Sequence, residues 1–365
     1  MPVLCATAGF STACWPRSVD SKRCHIACCR CLYTAEYLYL KKDVMSSIDD
    51  SLDVVVLSRT EAATGIVSFE LGAVDGGALP PFDPGAHVDV HVAPGLVRQY
   101  SLCNDPVERH RYRLGILLDP SSRGGSAEIH RAFAAGQRIR ISKPRCHFQL
   151  APDARRSILV AGGIGITPLL AMAHKLHAEG ADFTLHYCTR SWARTAFAAE
   201  LAASGFASRV IFHHDDGAPE QRFQLDAALP PADPGTHLYV CGPSGFINFV
   251  TARAKQAGWE DGQVHVEHFA AEVSTEGDTF TVVAANSGIT VQVKGGQTVA
   301  EALIAAGVDV PMSCEQGVCG TCLTPVLEGK PDQRDLYQTA DEKAANTHMT
   351  PCCSRSLSAR LVLGI

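Results

Sequence analysis

The stretch Pro311-Met-Ser-Cys314-Glu-Gln-Gly-Val-Cys319-Gly-Thr-Cys322-Leu323 carries three cysteines in the pattern C-x4-C-x2-C, the plant-type spacing for a 2Fe-2S cluster. Such a cluster needs four thiolates around two irons. The small residues Gly317, Gly320 and Thr321 let one tight loop wrap the inorganic core and turn backbone N–H groups toward its sulfurs. Zinc sites instead tend to pair two C-x2-C units, and three thiols on one Gly-rich loop would make a poor apolar core. The fourth ligand must come from further along, where Cys352 and Cys353 are the candidates. Neighbours in an extended segment point to opposite sides, so one ligates and the other packs elsewhere. The spacing does not choose between them.

Before this loop lie strand-like runs at 279–284 and 290–293 and a short amphipathic helix over 298–306, the order of a β-grasp ferredoxin-like α+β module. Further upstream, Ser157-Ile-Leu-Val-Ala-Gly-Gly-Ile-Gly-Ile-Thr-Pro-Leu-Leu170 reads as a buried parallel strand, a Gly-rich turn and a helix with Pro168 in its first turn. Gly162, Gly163 and Gly165 admit a phosphate-bearing ligand close to the backbone at a helix N-terminus. The motif departs from G-x-G-x-x-G, and alone it fits a plain strand-turn-helix joint equally well. Strand-like runs at 184–188, 210–213 and 238–240, alternating with helical stretches over 193–204 and 244–256, turn it into an α/β doubly wound nucleotide domain. There Cys241-Gly242-Pro243 forms a second turn at the edge where such sheets take ligands, although Cys241 also suits a buried core.

The first third differs in period. Short alternating runs at 52–57, 66–71, 87–92, 97–103, 112–118 and 138–142 indicate an antiparallel β-barrel. Between the last two, Ser122-Arg123-Gly124-Gly125-Ser126 opens a helix over 127–134, a small-residue turn with a cation that suits a phosphate. Arg98-Gln99-Tyr100-Ser101 sets a second guanidinium beside an aromatic ring. Each of these also reads as a surface charge and a packed tyrosine. The chain is thus expected to be multidomain: a barrel over 45–152, a nucleotide domain over 153–272 and a ferredoxin-like domain over 273–365.

Composition agrees with a globular, cytoplasmic protein: of 365 residues 46% are hydrophobic and 19% charged, and the net charge of −6 gives no support to a nucleic-acid partner. The longest apolar stretch, 157–173, is broken by glycines and a proline, so no membrane span is expected. Six of the 15 cysteines, Cys5, Cys14, Cys24, Cys28, Cys29 and Cys31, crowd the first 31 residues without the layout of a secretory signal. The group from Cys24 to Cys31 lacks a second spaced pair that would close a metal site. Translation is expected to begin at Met45, with 1–44 a disordered leader or start-site artefact.

A nicotinamide delivers two electrons together as hydride, whereas a 2Fe-2S centre accepts one. A chain with both sites needs a carrier working in both modes, and flavin is that carrier. In combination, Arg98-Gln-Tyr-Ser-Leu, Arg123-Gly-Gly-Ser, Gly162-Gly-Ile-Gly-Ile-Thr-Pro, Cys241-Gly-Pro-Ser-Gly-Phe, Glu267-His-Phe, Cys314 to Cys322 and Cys352-Cys-Ser-Arg-Ser resemble the phthalate dioxygenase reductase family over 45–365. The resemblance implies FMN rather than FAD, NADH as donor, and as acceptor a Rieske-type aromatic oxygenase or demethylase; a monomer that meets its partner transiently is the expectation for a one-electron donor. It implies that Arg98, Arg123, Gly124, Gly125 and Ser126 hold the FMN phosphate, and that Tyr100 and Ser101 meet the flavin ring, flanked by Thr167 and Phe269. It places Gly162, Gly163 and Gly165 at the NADH pyrophosphate, Cys241, Gly242 and Pro243 at the nicotinamide, Asp216 at a ribose, and Cys352 as the fourth cluster ligand. No side chain is expected to act as acid or base. The loop 315–321 is expected to be the docking surface, and Arg190 after a strand leaves room for a 2′-phosphate. The Cys-rich leader, and Cys146 where the family pattern suggests Asn, depart from the resemblance. Two other readings remain: an FAD-containing reductase of a diiron epoxidase, and a C-terminal module whose cysteines are structural or zinc-bound and serve only partner binding.

Overall fold

Val54 and Val56 alternate with more exposed neighbours along β1 (Ser51–Ala63). The computed structural model describes residues 51–120 and 123–365; the expectations for the leader, the Cys24 to Cys31 group and a start at Met45 lie outside the described residues. The first sheet continues through β2 (Ile66–Ala73), β3 (Ala86–Ala93), β4 (Leu96–Ser101), β5 (Tyr112–Leu117), helix α1 (Gly125–Ala132), β6 (Arg138–Ser142) and β7 (Arg145–Cys146). Its strands pair antiparallel in the order β4-β3-β6-β1-β2-β5, with β7 beside β3. A bridge between Leu102 and Leu114 joins the two edges and closes the barrel. Val54, Val67, Leu71, Val88, Val90 and Ile141 fill it, each contributing roughly 1.5–3 kcal/mol by burial.

The second sheet is parallel. β8 (Arg156–Gly162) is buried from Ser157 onward, as a central strand covered on both faces must be. The chain then runs through α2 (Ile166–Ala178), β9 (Asp182–Thr189), α3 (Ala198–Ala203), β10 (Val210–His214), α4 (Leu225–Ala228), β11 (Thr236–Cys241), α5 (Ser244–Gln256) and β12 (Val264–Glu267). The strand order is β10-β9-β8-β11-β12, every neighbour parallel. The order reverses between β8 and β11, which opens a crevice at their carboxyl ends.

The third sheet begins with β13 (Phe280–Ala284) and β14 (Ile289–Val293), followed by α6 (Val299–Ala305). Thr298 and Glu301 cap α6 reciprocally, hydroxyl to N–H at 3.0 Å and N–H to carboxylate at 2.9 Å. Then come β15 (Thr324–Glu328), β16 (Pro331–Asp332), α7 (Ala340–Ala345), β17 (His348–Met349), β18 (Arg355–Ser356) and β19 (Arg360–Leu363). The order is β14-β13-β19-β15-β17, with β16 and β18 as a separate ribbon. β13 and β19 run parallel, the β-grasp pairing of first and last strands.

The expected fold class, an antiparallel barrel, a doubly wound sheet and a β-grasp module, is the one observed. Details differ. The helix read over 193–204 is a single turn at Trp192–Arg194 followed by the short α3. Thr195 interrupts it by donating its hydroxyl to Ser191 O at 3.1 Å, and Phe197 enters α3 from a left-handed φ of 60°. That turn sets the Phe197 ring beneath the Arg113 guanidinium, 4.8 Å away. β1 runs well past residue 57, because its polar second half still pairs with β2 through two irregularities. Among the described residues no helix is long and apolar enough to cross a membrane.

Candidate functional site

The cysteine loop and the downstream cysteine pair come together in one buried space. Cys314, Cys319, Cys322, Cys352 and Cys353 are all buried. Cys314 lies in hydrogen-bond reach of Cys319 and Cys352, and Cys352 reaches Cys314 and Cys322. Those contacts, with N–H donors from Gln316 and Val318, hold the Cys314 thiol far below its ordinary range. The Thr321 N–H points at Cys319 Sγ, 3.4 Å away. Cys353 packs instead against Thr350, its Sγ 3.2 Å from the hydroxyl. Gly317 and Gly320 both take φ 71°, and a Cβ on Gly320 would lie 2.3 Å from the Tyr337 ring. Only glycine fits such a close approach in the left-handed region. Among the described residues no three His, Cys, Asp or Glu side chains are placed to hold one metal ion. Four thiols sharing one buried space with inward N–H donors fit a two-iron cluster.

Beside this loop is a cleft of about 470 Å³ lined from all three sheets. The barrel contributes Arg98, Tyr100 and Ser101 from β4 and Arg123 and Ser126 from the start of α1; the parallel sheet contributes Thr167, Glu267 and Phe269; the third contributes Cys314, Val318 and Tyr337. Gly124 has φ 93°, and a Cβ on Gly125 would meet Arg98 Cγ at 2.5 Å, so the two glycines let Arg98 lie along the N-terminus of α1. Arg123 donates to Glu315 at 2.7 Å and to Cys314 O at 2.6 Å, with Arg98 3.7 Å from the same carboxylate. Two guanidiniums and a helix N-terminus at one end of a cleft form a seat for a phosphate. His87 Nε2 and His268 Nδ1 line the cleft, buried and without a hydrogen-bond partner, as donors or acceptors awaiting a polar heterocycle would be.

The other expected residues stand at the adjoining edge of the parallel sheet. A Cβ on Gly165 would fall 2.2 Å from Cys241 O, and one on Gly242 3.0 Å from the Gly162 Cα, so the turns after β8 and β11 touch through bare backbone. Gly163 (φ 55°) makes the first turn, and Pro243 starts α5. These residues flank the cleft rather than line it. The Cys241 side chain is fully buried, and burial raises its thiol pKa. Asp216 is exposed beyond β10, its N–H bonded to Arg190 O at 3.2 Å, and does not reach the cleft. Cys146 stays outside it too, with Sγ 3.5 Å from Pro84 O.

Comparison with known proteins decides the family. Residues 282–357 match the 2Fe-2S iron-sulfur cluster binding domain, and residues 138–264 match the N-terminal domain of dimethylamine monooxygenase subunit DmmA-like proteins. The chain is 49% identical over 316 residues to vanillate O-demethylase oxidoreductase of Pseudomonas sp. (strain HR199 / DSM 7063), covering 86% of this chain and 100% of that one. It is 40% identical to phthalate dioxygenase reductase of Burkholderia cepacia over 87% of this chain and 98% of the relative. The solved structure of phthalate dioxygenase reductase, described as modular for electron transfer from pyridine nucleotides to 2Fe-2S, superposes with TM-score 0.68 at 40% identity, over 87% and 98% of the two chains. The chain belongs to the phthalate dioxygenase reductase family. An intact type IV self-sufficient cytochrome P450 monooxygenase matches as well, with TM-score 0.76 and 40% identity, and there this chain spans 41% of the longer one.

As a member of that family the chain is an oxidoreductase with a 2Fe-2S domain, which sets aside a C-terminal module with only structural or zinc-bound cysteines. Several cleft residues of this family member were given no role from sequence. Glu267 stands inside the cleft, ringed by protein. Desolvation raises its carboxyl to about 8, against the Ser101 hydroxyl 3.4 Å away. Tyr337 meets His147 edge-on at 5.4 Å, and His147 lies 5.4 Å from His87, whose imidazole burial and Arg145 lower to about 4. Asp89 accepts the Ser313 hydroxyl at 2.9 Å and Arg145 at 2.5 Å; burial works against its charge, but Arg145 prevails and its pKa is lowered. A buried hydrogen bond to a charged group contributes about 1.5–3 kcal/mol. In the expected docking loop Gln316 and Val318 line the cleft, and Glu315, Gly320 and Thr321 are half-buried. Alternating aromatic and polar residues carry no signal of these pairings, which depend on three sheets meeting.

Proposed function

We propose that the chain is the NADH-dependent reductase component of a two-component Rieske-type aromatic oxygenase or demethylase, of the vanillate O-demethylase kind. The observation that carries this reading is the cleft lined together by the phosphate seat, by Thr167, Glu267 and Phe269 of the nucleotide domain and by Cys314 of the cysteine loop. Bound there, NADH, FMN and a 2Fe-2S cluster supply hydride transfer, conversion from two electrons to one, and one-electron delivery.

The chain's own residues bind and orient. Arg98 and Arg123, with the N–H groups at Gly124, Gly125 and Ser126, take the FMN phosphate. Tyr100 and Ser101 meet the ring from the barrel, and Thr167 and Phe269 meet it from the nucleotide side. Gly162, Gly163 and Gly165 let the NADH pyrophosphate approach the backbone, and Cys241, Gly242 and Pro243 form the turn that receives the nicotinamide. Cys314, Cys319, Cys322 and Cys352 hold the cluster. Glu267, neutral at pH 7, presents a proton donor beside Ser101 without placing a negative charge in the cleft. The barrel, nucleotide and ferredoxin-like domains span 45–152, 153–272 and 273–365, and the protein acts in the cytoplasm as a monomer.

The test combines the purified protein with NADH and a purified Rieske-type aromatic oxygenase under anaerobic conditions, and identifies the flavin released on denaturation. The reading predicts FMN and NADH-driven reduction of the oxygenase. Released FAD, with no transfer to the Rieske centre, would favour the reductase of a diiron system instead.

A further inference from the structure

Cys314 is the cluster ligand that lines the cleft, and both of its sequence neighbours are tied to the barrel. On one side the Ser313 hydroxyl, 3% exposed, donates to Asp89 on β3 at 2.9 Å, and Arg145 holds the other Asp89 oxygen at 2.5 Å. On the other side Glu315 receives Arg123 at 2.7 Å, while the second outer nitrogen of Arg123 caps the carbonyl of Cys314 itself at 2.6 Å. Glu315 holds a left-handed φ of 58°, a conformation that a non-glycine residue keeps only where its surroundings impose it. That φ accompanies a side chain turned onto Arg123.

We propose that these two clasps, Asp89 to Ser313 and Arg123 to Glu315, are positioning elements that fix Cys314 against the flavin cleft and thereby set the rate at which electrons pass from flavin to cluster. The inference rests on the functional reading above. The step concerned moves one electron, the flavin losing it and the cluster gaining it, with both electrons of the pair supplied by hydride from NADH. Three features separate a clasp from general packing. The contacts are polar and directional, they bracket one ligand rather than the whole loop, and they come from the barrel that carries the phosphate seat. The other ligands are held within their own module, Cys319 by Thr321 at 3.4 Å for example. The clasps therefore act on placement and leave cluster assembly to the loop.

The experiment is anaerobic stopped-flow mixing of the complete, cofactor-loaded protein with NADH, following flavin and cluster bleaching separately. The variants are the double substitution Ser313→Ala with Glu315→Ala, and Asp89→Ala, which alters no residue of the cluster loop. Both should keep wild-type iron and sulfide content, cluster potential and flavin reduction rate, while cluster reduction slows severalfold. Glu315→Gln, which retains an acceptor for Arg123, should recover most of the rate. Cluster reduction at the wild-type rate in both variants overturns the proposal, as does slowing fully accounted for by a shifted cluster potential. If the cluster of the wild-type protein is itself not reduced by NADH, the functional reading fails rather than the clasps.

Discussion

The cysteine loop and the cleft beside it share Cys314 but are built in opposite ways. The loop draws three cysteines from the short run 314–322, with Gly317 and Gly320 in left-handed turns, and needs one distant thiol. The cleft collects a few residues from each of three sheets, none diagnostic alone. A site made by local backbone geometry should fail all at once when one ligand is lost. A site made by convergence should lose function in increments. The contrast also explains why the loop tolerates no Cβ at Gly320, while the cleft leaves two histidine nitrogens unpartnered.

The sharpest way to break this comparison is at the adjacent cysteines. Cys352→Ser should abolish the 2Fe-2S absorbance and bound iron, whereas Cys353→Ser, which removes only a packed thiol beside Thr350, should keep both; the reverse result would reassign the fourth ligand. Next is the contact between turns: Gly165→Ala drives a methyl into Cys241 O and should destabilise the nucleotide sheet by about 3 kcal/mol in denaturant titration. Arg98→Ala should weaken FMN binding by about 1.5–3 kcal/mol, measured by flavin fluorescence quenching, and leave bound iron unchanged. The smallest effect concerns Glu267. Its carboxyl titrates near 8 in the folded chain and near 4.5 unfolded, so the native state holds the extra proton. The stability this contributes is full below about 4.5 and is lost as pH rises through about 8. Between pH 7 and 9 the wild type should lose about 1 kcal/mol that Glu267→Gln retains; parallel pH profiles would show that the carboxyl is solvated.

Legibility followed the same divide. The cysteine spacing, the two glycine turns of the parallel sheet and the barrel strands were readable because each depends on residues close in sequence. The choice of Cys352 over Cys353 was not, since alternation along an extended segment says only that the two differ; it rests on resemblance, and Cys352 stands against Cys314 and Cys322. Glu267 entered only within the Glu267-His-Phe resemblance and Tyr337 not at all, because a carboxylate at a strand end or a tyrosine in a turn acquires its role only from what packs over it. The pairing of Glu315 with Arg123 and Arg98 gave no signal for the same reason. The break after Trp192 came from a hydroxyl competing for backbone, which helix periodicity does not register.

The central claim, that electrons from the nucleotide reach the cluster through the shared cleft, is tested most directly by low-temperature electron paramagnetic resonance of the protein frozen after anaerobic mixing with NADH. The account predicts the signal of a reduced 2Fe-2S cluster in the wild type and its loss in Cys352→Ser, with flavin reduction retained in both. A wild-type sample with fully bleached flavin and an oxidised, silent cluster would contradict it.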